Sequence, residues 1–351
     1  HRVFQVCKDL KKKSQKVILI SRNPNIRLKG NQLGIDTELF KDEIFPKPCD
    51  QYKGIVEVFM PVSSLEKMFT DERGVPVEEV YQYENFDWIE NEFVEIVSDT
   101  SKAIGRYTNG RIVRLKYDKS IPGGHKALNV EQVVFWESLL MPPDIAPLVV
   151  TKGVAGTGKT YCSLAMALNA IEKKGDKKKQ TYKQIIVATP TVTVANEELG
   201  FLPGEIDDKV GPYLGGIVDN LKEILRQKFP DFTNAELKKK AMEFFERGDI
   251  EIQPIGFLRG RTIPNTVFII DETQNIKPCD IKDIVTRSAE GSKFIFLGDA
   301  DQVNNPALNS RYNGLVYLSE KMKGNPHTFQ ITLNSKKSVR SKLAQEALDI
   351  L

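Results

Sequence analysis

From residue 128 onward the chain alternates between two rhythms. Runs that are apolar almost throughout, PLVVTKG (147–153), QIIVATP (184–190), IEIQPI (250–255), TVFIIDE (266–272) and KFIFLGD (293–299), are separated by helical patterns at 158–172 and in an insertion at 209–247. A strand that is apolar on both sides has both faces covered, as in a parallel sheet between helix layers. The expected fold class is therefore α/β, a doubly wound sheet that binds ligands at the carboxyl ends of its strands. Upstream the rhythm changes: YKGIVEVFMPV, ENEFVEIVS and GRIVRLKYD alternate apolar with polar residues between Gly, Asn and Asp, which predicts a small antiparallel β unit.

Before that unit, residues 1–45 read as a basic amphipathic segment, an apolar run from Val17 to Ile20, a turn at Asn23-Pro24, and a helix from Ile26 to Leu33 ended by Gly34. This is too little to fold alone. Two joints, PKPCD (46–50) and SIPGGHKA (120–127), divide the chain into expected units at 1–46, 50–121 and 126–351.

Composition narrows the classes. Lys plus Arg is 50 against Asp plus Glu 47 in 351 residues, a net charge of +3, so nucleic-acid contact must come from local patches. Cys7, Cys49, Cys162 and Cys279 are scattered, with no C-x-x-C, which argues against a zinc ribbon or a disulfide framework. With no spanning apolar run and no signal-like start, the sequence suggests a cytoplasmic protein without membrane contact. The opening His1 suggests a fragment or a processed chain.

The candidate chemistry sits at the strand ends. Gly153-Val154-Ala155-Gly156-Thr157-Gly158-Lys159-Thr160 fits G-x-x-x-x-G-K-T between an apolar strand and a helical pattern, the context of a phosphate-binding loop. Its backbone N–H groups and the helix N-terminus would face the phosphates of ATP. Lys159 would reach the β and γ phosphates, Thr160 would hold Mg²⁺, and Tyr161 completes the contact set. Asp271 and Glu272 end an apolar strand: Asp271 as second magnesium partner, Glu272 as the residue that orients or deprotonates water. A helix N-cap with acidic first turn is the alternative for that pair. Gln302, after Gly298-Asp299, is the candidate γ-phosphate sensor. Asn129 and Gln132, just before the helix leading to the loop, are candidates for pairing with adenine. The absence of N-K-x-D and T-K-x-D favours ATP over GTP. Arg287, Arg340 and the pair Arg259 and Arg261 are candidate arginine fingers, in this subunit or a neighbour, with surface ion pairs the alternative for each. Thr189-Pro-Thr191 and the lysine-rich stretch 173–183 are candidate nucleic-acid contacts, whereas Lys238 to Lys240 read as a solvated helix face.

These residues, together with E-E-L-G-F-L-P-G (197–204), D-K-V-G-P-Y-L (208–214), F-L-R-G-R-T (257–262), I-D-E-T-Q-N (270–275) and G-D-A-D-Q (298–302), resemble PhoH-type ATPases over about 127–351. Asn304-Asn305-Pro306, Asn313-Gly314-Leu315, Arg340-Ser341 and Leu343-Ala344 are similar to the class in which a PIN-type nuclease precedes the ATPase. Residues 17–36 look like the closing segment of such a PIN domain. The resemblance implies a P-loop NTPase of RecA or helicase type, preceded by a β-rich unit and a PIN remnant. It further implies a Mg²⁺- and ATP-dependent homo-oligomer, a hexameric ring, acting on single-stranded RNA or possibly DNA as helicase or translocase. Asn23 stands where the family carries a metal-binding acid, so PIN ribonuclease activity is not expected here. Thr189 replaces an arginine and Thr273 an alanine of the family pattern. Two other readings remain: a regulatory ATP switch acting on a protein partner, and a nuclease that carries an ATPase. Tyr107, Arg111, Arg114 and Tyr117 offer the β unit a strand-binding surface, with packing as their alternative.

Overall fold

The computed structural model describes residues 2–13, 16–21, 23–38, 45–80, 87–172, 182–190, 206–258 and 260–333, the side chains of 172 and 206–213 excepted. The lysine-rich stretch 173–181, Thr191, the 197–204 motif, Arg259, Arg340 and Leu343-Ala344 lie outside the described residues.

At the amino-terminal end, α1 (Arg2–Lys12), β1 (Ile18–Ile20), α2 (Pro24–Gln32) and β2 (Asp36–Glu38) form a two-stranded parallel pair with two helices. Its core is small: Phe4, Cys7, Leu19 and Ile35, with Val17 against them. Asn23 caps α2, its side-chain oxygen accepting from the Asn25 N–H at 2.9 Å.

The middle unit corrects the antiparallel expectation. Strands β3 (Ile55–Phe59), β4 (Val75–Pro76), β5 (Phe93–Val97), β6 (Lys102–Thr108) and β7 (Arg111–Arg114) form a sheet of order β3-β5-β6-β7-β4, in which β3 and β5 run parallel. The reversal comes from α3 (Val62–Thr70), where Leu65 and Met68, three apart, face one side and cover Val58, Val94, Ile96 and Ile112. The opposite face brings Ile55, Phe93 and Ile104 against the core of the main sheet.

The main sheet is parallel throughout, of order β10-β9-β11-β12-β8-β13: β8 (Leu148–Gly153), β9 (Gln184–Thr189), β10 (Ile250–Pro254), β11 (Thr266–Ile270), β12 (Lys293–Gly298) and β13 (Thr328–Leu333). Alternate residues of each strand enter two cores. Val149, Ile185, Val187, Ile269 and Ile295 face α4 (Val130–Leu140), α5 (Lys159–Glu172), α6 (Ile206–Lys228) and α7 (Asn234–Glu246). Val150, Ile186, Phe268, Ile270 and Phe296 face α8 (Pro278–Val285) and α9 (Gly314–Lys321). The 209–247 insertion is thus two helices, separated where Thr233 and Glu236 build a capping box. Strand β13 escaped the sequence reading. It places β8 between two strands and makes the β8 end the point where chain connections diverge, the crevice in which open α/β sheets bind ligands. No described helix is long and apolar enough to cross a membrane.

The middle unit is seamed to this sheet along β13. Thr332 N–H donates to Lys53 O at 2.9 Å. Gly54 (φ +79) lies so close that a Cβ there would stand 2.0 Å from Gln330 O, so only glycine allows the approach. Phe93 and Leu115 belong to the main core, Phe93 meeting Phe329 at 6.3 Å between ring centroids.

Candidate nucleotide site

The phosphate loop begins where β8 ends. Gly158, at φ +87, turns the chain so that α5 starts at Lys159, and Gly153 passes so near Leu333 that a Cβ would lie 2.7 Å from its carbonyl oxygen. The loop is laced internally: Thr157 Oγ1 donates to Val154 O at 2.8 Å. Lys159 is buried, and its Nζ donates to Val154 O at 2.9 Å and also to Gly153 O. The ammonium occupies the inside of the loop, held by carbonyls that a phosphate would replace.

Thr160 and Asp271 come together from α5 and the end of β11, Thr160 Oγ1 donating to Asp271 Oδ2 at 2.8 Å. A hydroxyl and a carboxylate are the hard oxygen donors magnesium prefers, and it ordinarily completes its shell with water and phosphate oxygens rather than more protein. The pair therefore fits a nucleotide-bound Mg²⁺. The described residues show no cluster of three or more His, Cys, Asp or Glu side chains suited to a metal.

Glu272 has left-handed backbone angles, φ 53 and ψ 35, rare for a residue with a Cβ. Its Oε2 accepts from Gln274 Nε2 at 2.7 Å. Partial burial of the carboxyl and the charge of Asp271 beside it raise the Glu272 pKa above the ordinary glutamate value, against the lowering influence of Gln274 and Lys159. Such a group takes up a proton more readily than an exposed glutamate. Asp299, at the end of β12, is likewise raised, first by burial.

Sequence reasoning missed Gln274. It is buried, and beyond Glu272 it donates to Gln302 O at 3.0 Å and accepts from Asp299 N–H at 3.1 Å. Beside it Asn275 Oδ1 accepts from Asn304 N–H at 2.7 Å. Two buried carboxamides thus lash the loop after β11 to the loop after β12. The signal was present in Gln274-Asn275 directly after the acids, but side-chain amides in a polar loop have no periodicity to reveal them. Gln302 itself is exposed, tied into this lashing through its backbone carbonyl.

Asn129 is the N-cap of α4, its side chain accepting from Gln132 N–H at 2.8 Å, so Gln132 sits inside the first turn rather than before the helix. Gln132 Nε2 donates to Thr157 O at 3.1 Å and its Oε1 accepts from Leu128 N–H at 2.9 Å. Tyr161 Oη is in hydrogen-bond contact with His125 Nδ1, tying α5 to the 120–127 joint. Beside Gly153 and Val154 opens a cavity of about 340 Å³, walled by Glu131, Lys152, Asp299 and, from the other sheet's leading segment, Gln51 and Lys53. Lys152 Nζ donates to Tyr52 O at 2.6 Å, and burial draws its pKa down to about 8.

The candidate arginines do not line the loop. Arg287 is exposed in the turn after α8, on the amino-terminal side of the sheet, opposite the phosphate loop. Arg261 donates to Gln253 Oε1 at 3.1 Å beside β10. That strand is four places from β8, or roughly 19 Å at ~4.8 Å per strand. Thr189 ends β9, buried and paired with Pro254. Lys238 and Lys239 are exposed on α7 and Lys240 pairs with Glu243 at 2.7 Å, a solvated helix face. In the middle unit Tyr107 stacks on Trp88 at 5.2 Å and Arg111 donates to Gly74 O at 2.7 Å, both packing roles. Tyr117 is half-buried, its N–H donating to Glu137 Oε2 at 2.7 Å.

Comparison with known proteins agrees with this layout. The family described as PhoH-like protein matches residues 126–351. Protein PhoH2 of Bacillus subtilis (strain 168) is 33% identical over 362 residues, spanning 100% of this chain and 77% of that protein. Protein PhoH2 of Thermobispora bispora is 28% identical over 350 residues, spanning 100% and 74%. A PhoH-like protein of Bacillus subtilis (strain 168) is 38% identical over 202 residues, 58% of this chain and 57% of its own.

Proposed function

This chain belongs to the PhoH family, and from that premise we propose that its P-loop site hydrolyses ATP with Mg²⁺ and drives movement along, or unwinding of, single-stranded RNA. The observation that supports the hydrolytic half is the meeting of Thr160 with Asp271 directly beside the strained, raised-pKa Glu272.

Each residue has a separable task. Backbone N–H groups of 153–160 and the start of α5 receive the phosphates. Lys159 leaves its two carbonyl partners and neutralises charge on the β and γ phosphates. Thr160 and Asp271 would hold Mg²⁺, which when bound would supply further neutralisation of those oxygens. Glu272 orients the attacking water and accepts its proton. Gln274 fixes Glu272 and, through Asp299 and Gln302, connects it to the loop after β12, so the γ-phosphate state can reach that loop.

An arginine finger belongs to a neighbouring subunit in this reading. Arg261 lies at the outer edge strand and Arg287 on the far side of the sheet, positions from which each can reach only another copy's site; Arg340 remains a candidate outside the described residues. A homo-oligomer, a hexameric ring in the family's manner, follows. The middle sheet and the amino-terminal unit of α1, β1, α2 and β2 travel with the motor.

Mg²⁺-dependent ATP hydrolysis, measured with and without single-stranded RNA, tests this. The expected outcome is an RNA-stimulated rate that Lys159→Ala and Glu272→Gln both abolish. Hydrolysis indifferent to RNA and DNA would replace the motor by the ATP switch.

A further inference from the structure

The middle unit carries a groove of about 600 Å³ that no step of the nucleotide chemistry uses. Phe69 near the end of α3, Lys102 to Ile104 at the start of β6, Arg114 at the end of β7 and Leu115, Lys116, Asp118 and Lys119 after it form its walls. Four cations, Lys102, Arg114, Lys116 and Lys119, line it against one acid, Asp118. All four are exposed, and none joins an ion pair seen among the described residues. Their arrangement contrasts with the chain as a whole, which balances 50 cations against 47 acids. Phe69 is 49% exposed, and Arg114 Nη1 donates to its main-chain carbonyl at 3.3 Å, which holds the guanidinium at the end of α3.

We propose that this groove binds the backbone of single-stranded nucleic acid, its cations on successive phosphates and Phe69 as a stacking platform for a base. Unpaired cations along a trough suit a chain of regularly spaced phosphodiesters, and an exposed aromatic ring beside them suits an unstacked base of any identity. An acidic protein segment would use the cations but would leave the ring without a partner. The proposal rests on the RNA-motor reading above and adds a second contact, outside the ATPase sheet.

The groove floor is wired to the nucleotide site. The N–H groups of Lys116 and Tyr117 donate to the buried carboxylate of Glu137 at 2.9 and 2.7 Å. Glu137 lies on α4, whose first turn holds Gln132, the residue that binds the phosphate loop through Thr157 O. A strand that shifts residues 115–117 therefore pushes on the helix that braces the loop.

The test measures binding of labelled poly(U) and of a matched oligothymidine across a salt series, with ATP hydrolysis alongside. The proteins are wild type, Lys102→Gln/Arg114→Gln/Lys119→Gln, Phe69→Ala and Arg114→Lys. Losing three phosphate contacts should flatten the slope of log affinity against log salt by about 2, and weaken binding about 50-fold near ~0.15 M salt. Phe69→Ala should weaken it about fivefold or more without changing the slope. Arg114→Lys should stay near wild type. The triple variant's basal hydrolysis should match wild type, which shows it folded, while stimulation by RNA is lost at concentrations that saturate wild type. Equal losses on RNA and DNA would mark recognition through phosphate. If the triple variant binds both strands with the wild-type slope, the groove proposal falls and the motor reading stands. If wild type neither binds RNA nor is stimulated by it, both fall. If the triple variant instead loses binding only to an acidic polypeptide such as polyglutamate, the groove is a protein-docking site and the proposal is overturned.

Discussion

The two large sheets solve opposite problems. The main sheet is covered on both faces, so its strands are almost wholly apolar and its chemistry is confined to the carboxyl ends, where glycine, lysine and acids gather around Lys159. The middle sheet has its own core, built on Met68, Val94 and Ile112, and packs Phe93, Ile55 and Ile104 against the main core, yet carries an open trough of cations where β6 and β7 meet α3. The strand ends of the main sheet make a compact, preorganised site for a small anionic ligand; the open trough of the middle unit offers a long surface suited to a polymer. In this reading, small-ligand chemistry and polymer contact are divided between the sheets, with α4 as the element both touch.

Lys159→Ala and Glu272→Gln should break the comparison most sharply. Each should lower kcat by roughly 10²- to 10³-fold, the scale for removing one preorganised electrostatic group, with RNA affinity retained because the groove lies elsewhere. Steady-state kinetics beside a binding assay would show it, and a parallel loss of RNA binding would deny the division.

Next is the seam. Gly54→Ala forces a Cβ against Gln330 O at a left-handed backbone position, a strain expected to destabilise the protein by about 1–3 kcal/mol. Thermal unfolding should fall accordingly, and RNA stimulation should fall more than basal hydrolysis. An unchanged melting profile would show that the sheets are not rigidly joined there.

Gln274→Ala leaves the Asp299 N–H without its partner and leaves the Glu272 carboxylate to the longer contact from Asn275 Nδ2 at 3.4 Å, a loss of about 1–3 kcal/mol. It also removes a contact that lowers the Glu272 pKa. Glu272 must be ionised to act, and its raised pKa places the acidic fall of the rate above that of an ordinary glutamate. The variant should move that fall to higher pH still. A pH profile of kcat that does not move would separate Gln274 from catalysis.

The smallest effect concerns Glu92, whose carboxyl burial pushes up to about 7. The folded protein then binds a proton more tightly than the unfolded chain. The stability that this group contributes is therefore fully present below the ordinary glutamate range and is lost as pH rises toward 7. Urea titrations at successive pH values should show this, and Glu92→Gln should abolish it.

How much could be read from the chain depended on the same contrast. Runs such as TVFII and KFIFLG declare themselves because both faces are buried, and the phosphate loop is written in consecutive residues. Strand β13, TFQITL, carries Thr328, Gln330 and Thr332 at alternate positions, Gln330 hydrogen-bonded to Ser319 of α9, which blurs its apolar signal. Helix α3 is nine residues long and follows β3 after only Met60 and Pro61. The parallel pairing of β3 with β5 depends on that helix, so missing one lost the other. At the site, Lys159, Thr160, Asp271 and Glu272 were legible as motif. The lashing by Gln274 and Asn275 was not, because it joins loops more than twenty positions apart through side-chain amides.

The segment 52–54 along β13 has a meaning for handling the protein. Residues 126–351, taken without it, would present the outer rim of β13 with the Thr332 N–H bare and Phe329 stripped of Phe93. An unguarded parallel strand of that kind recruits other strands. The rim of the ATPase sheet is in this sense covered from outside it, by residues that any trimming at the 120–127 joint would discard.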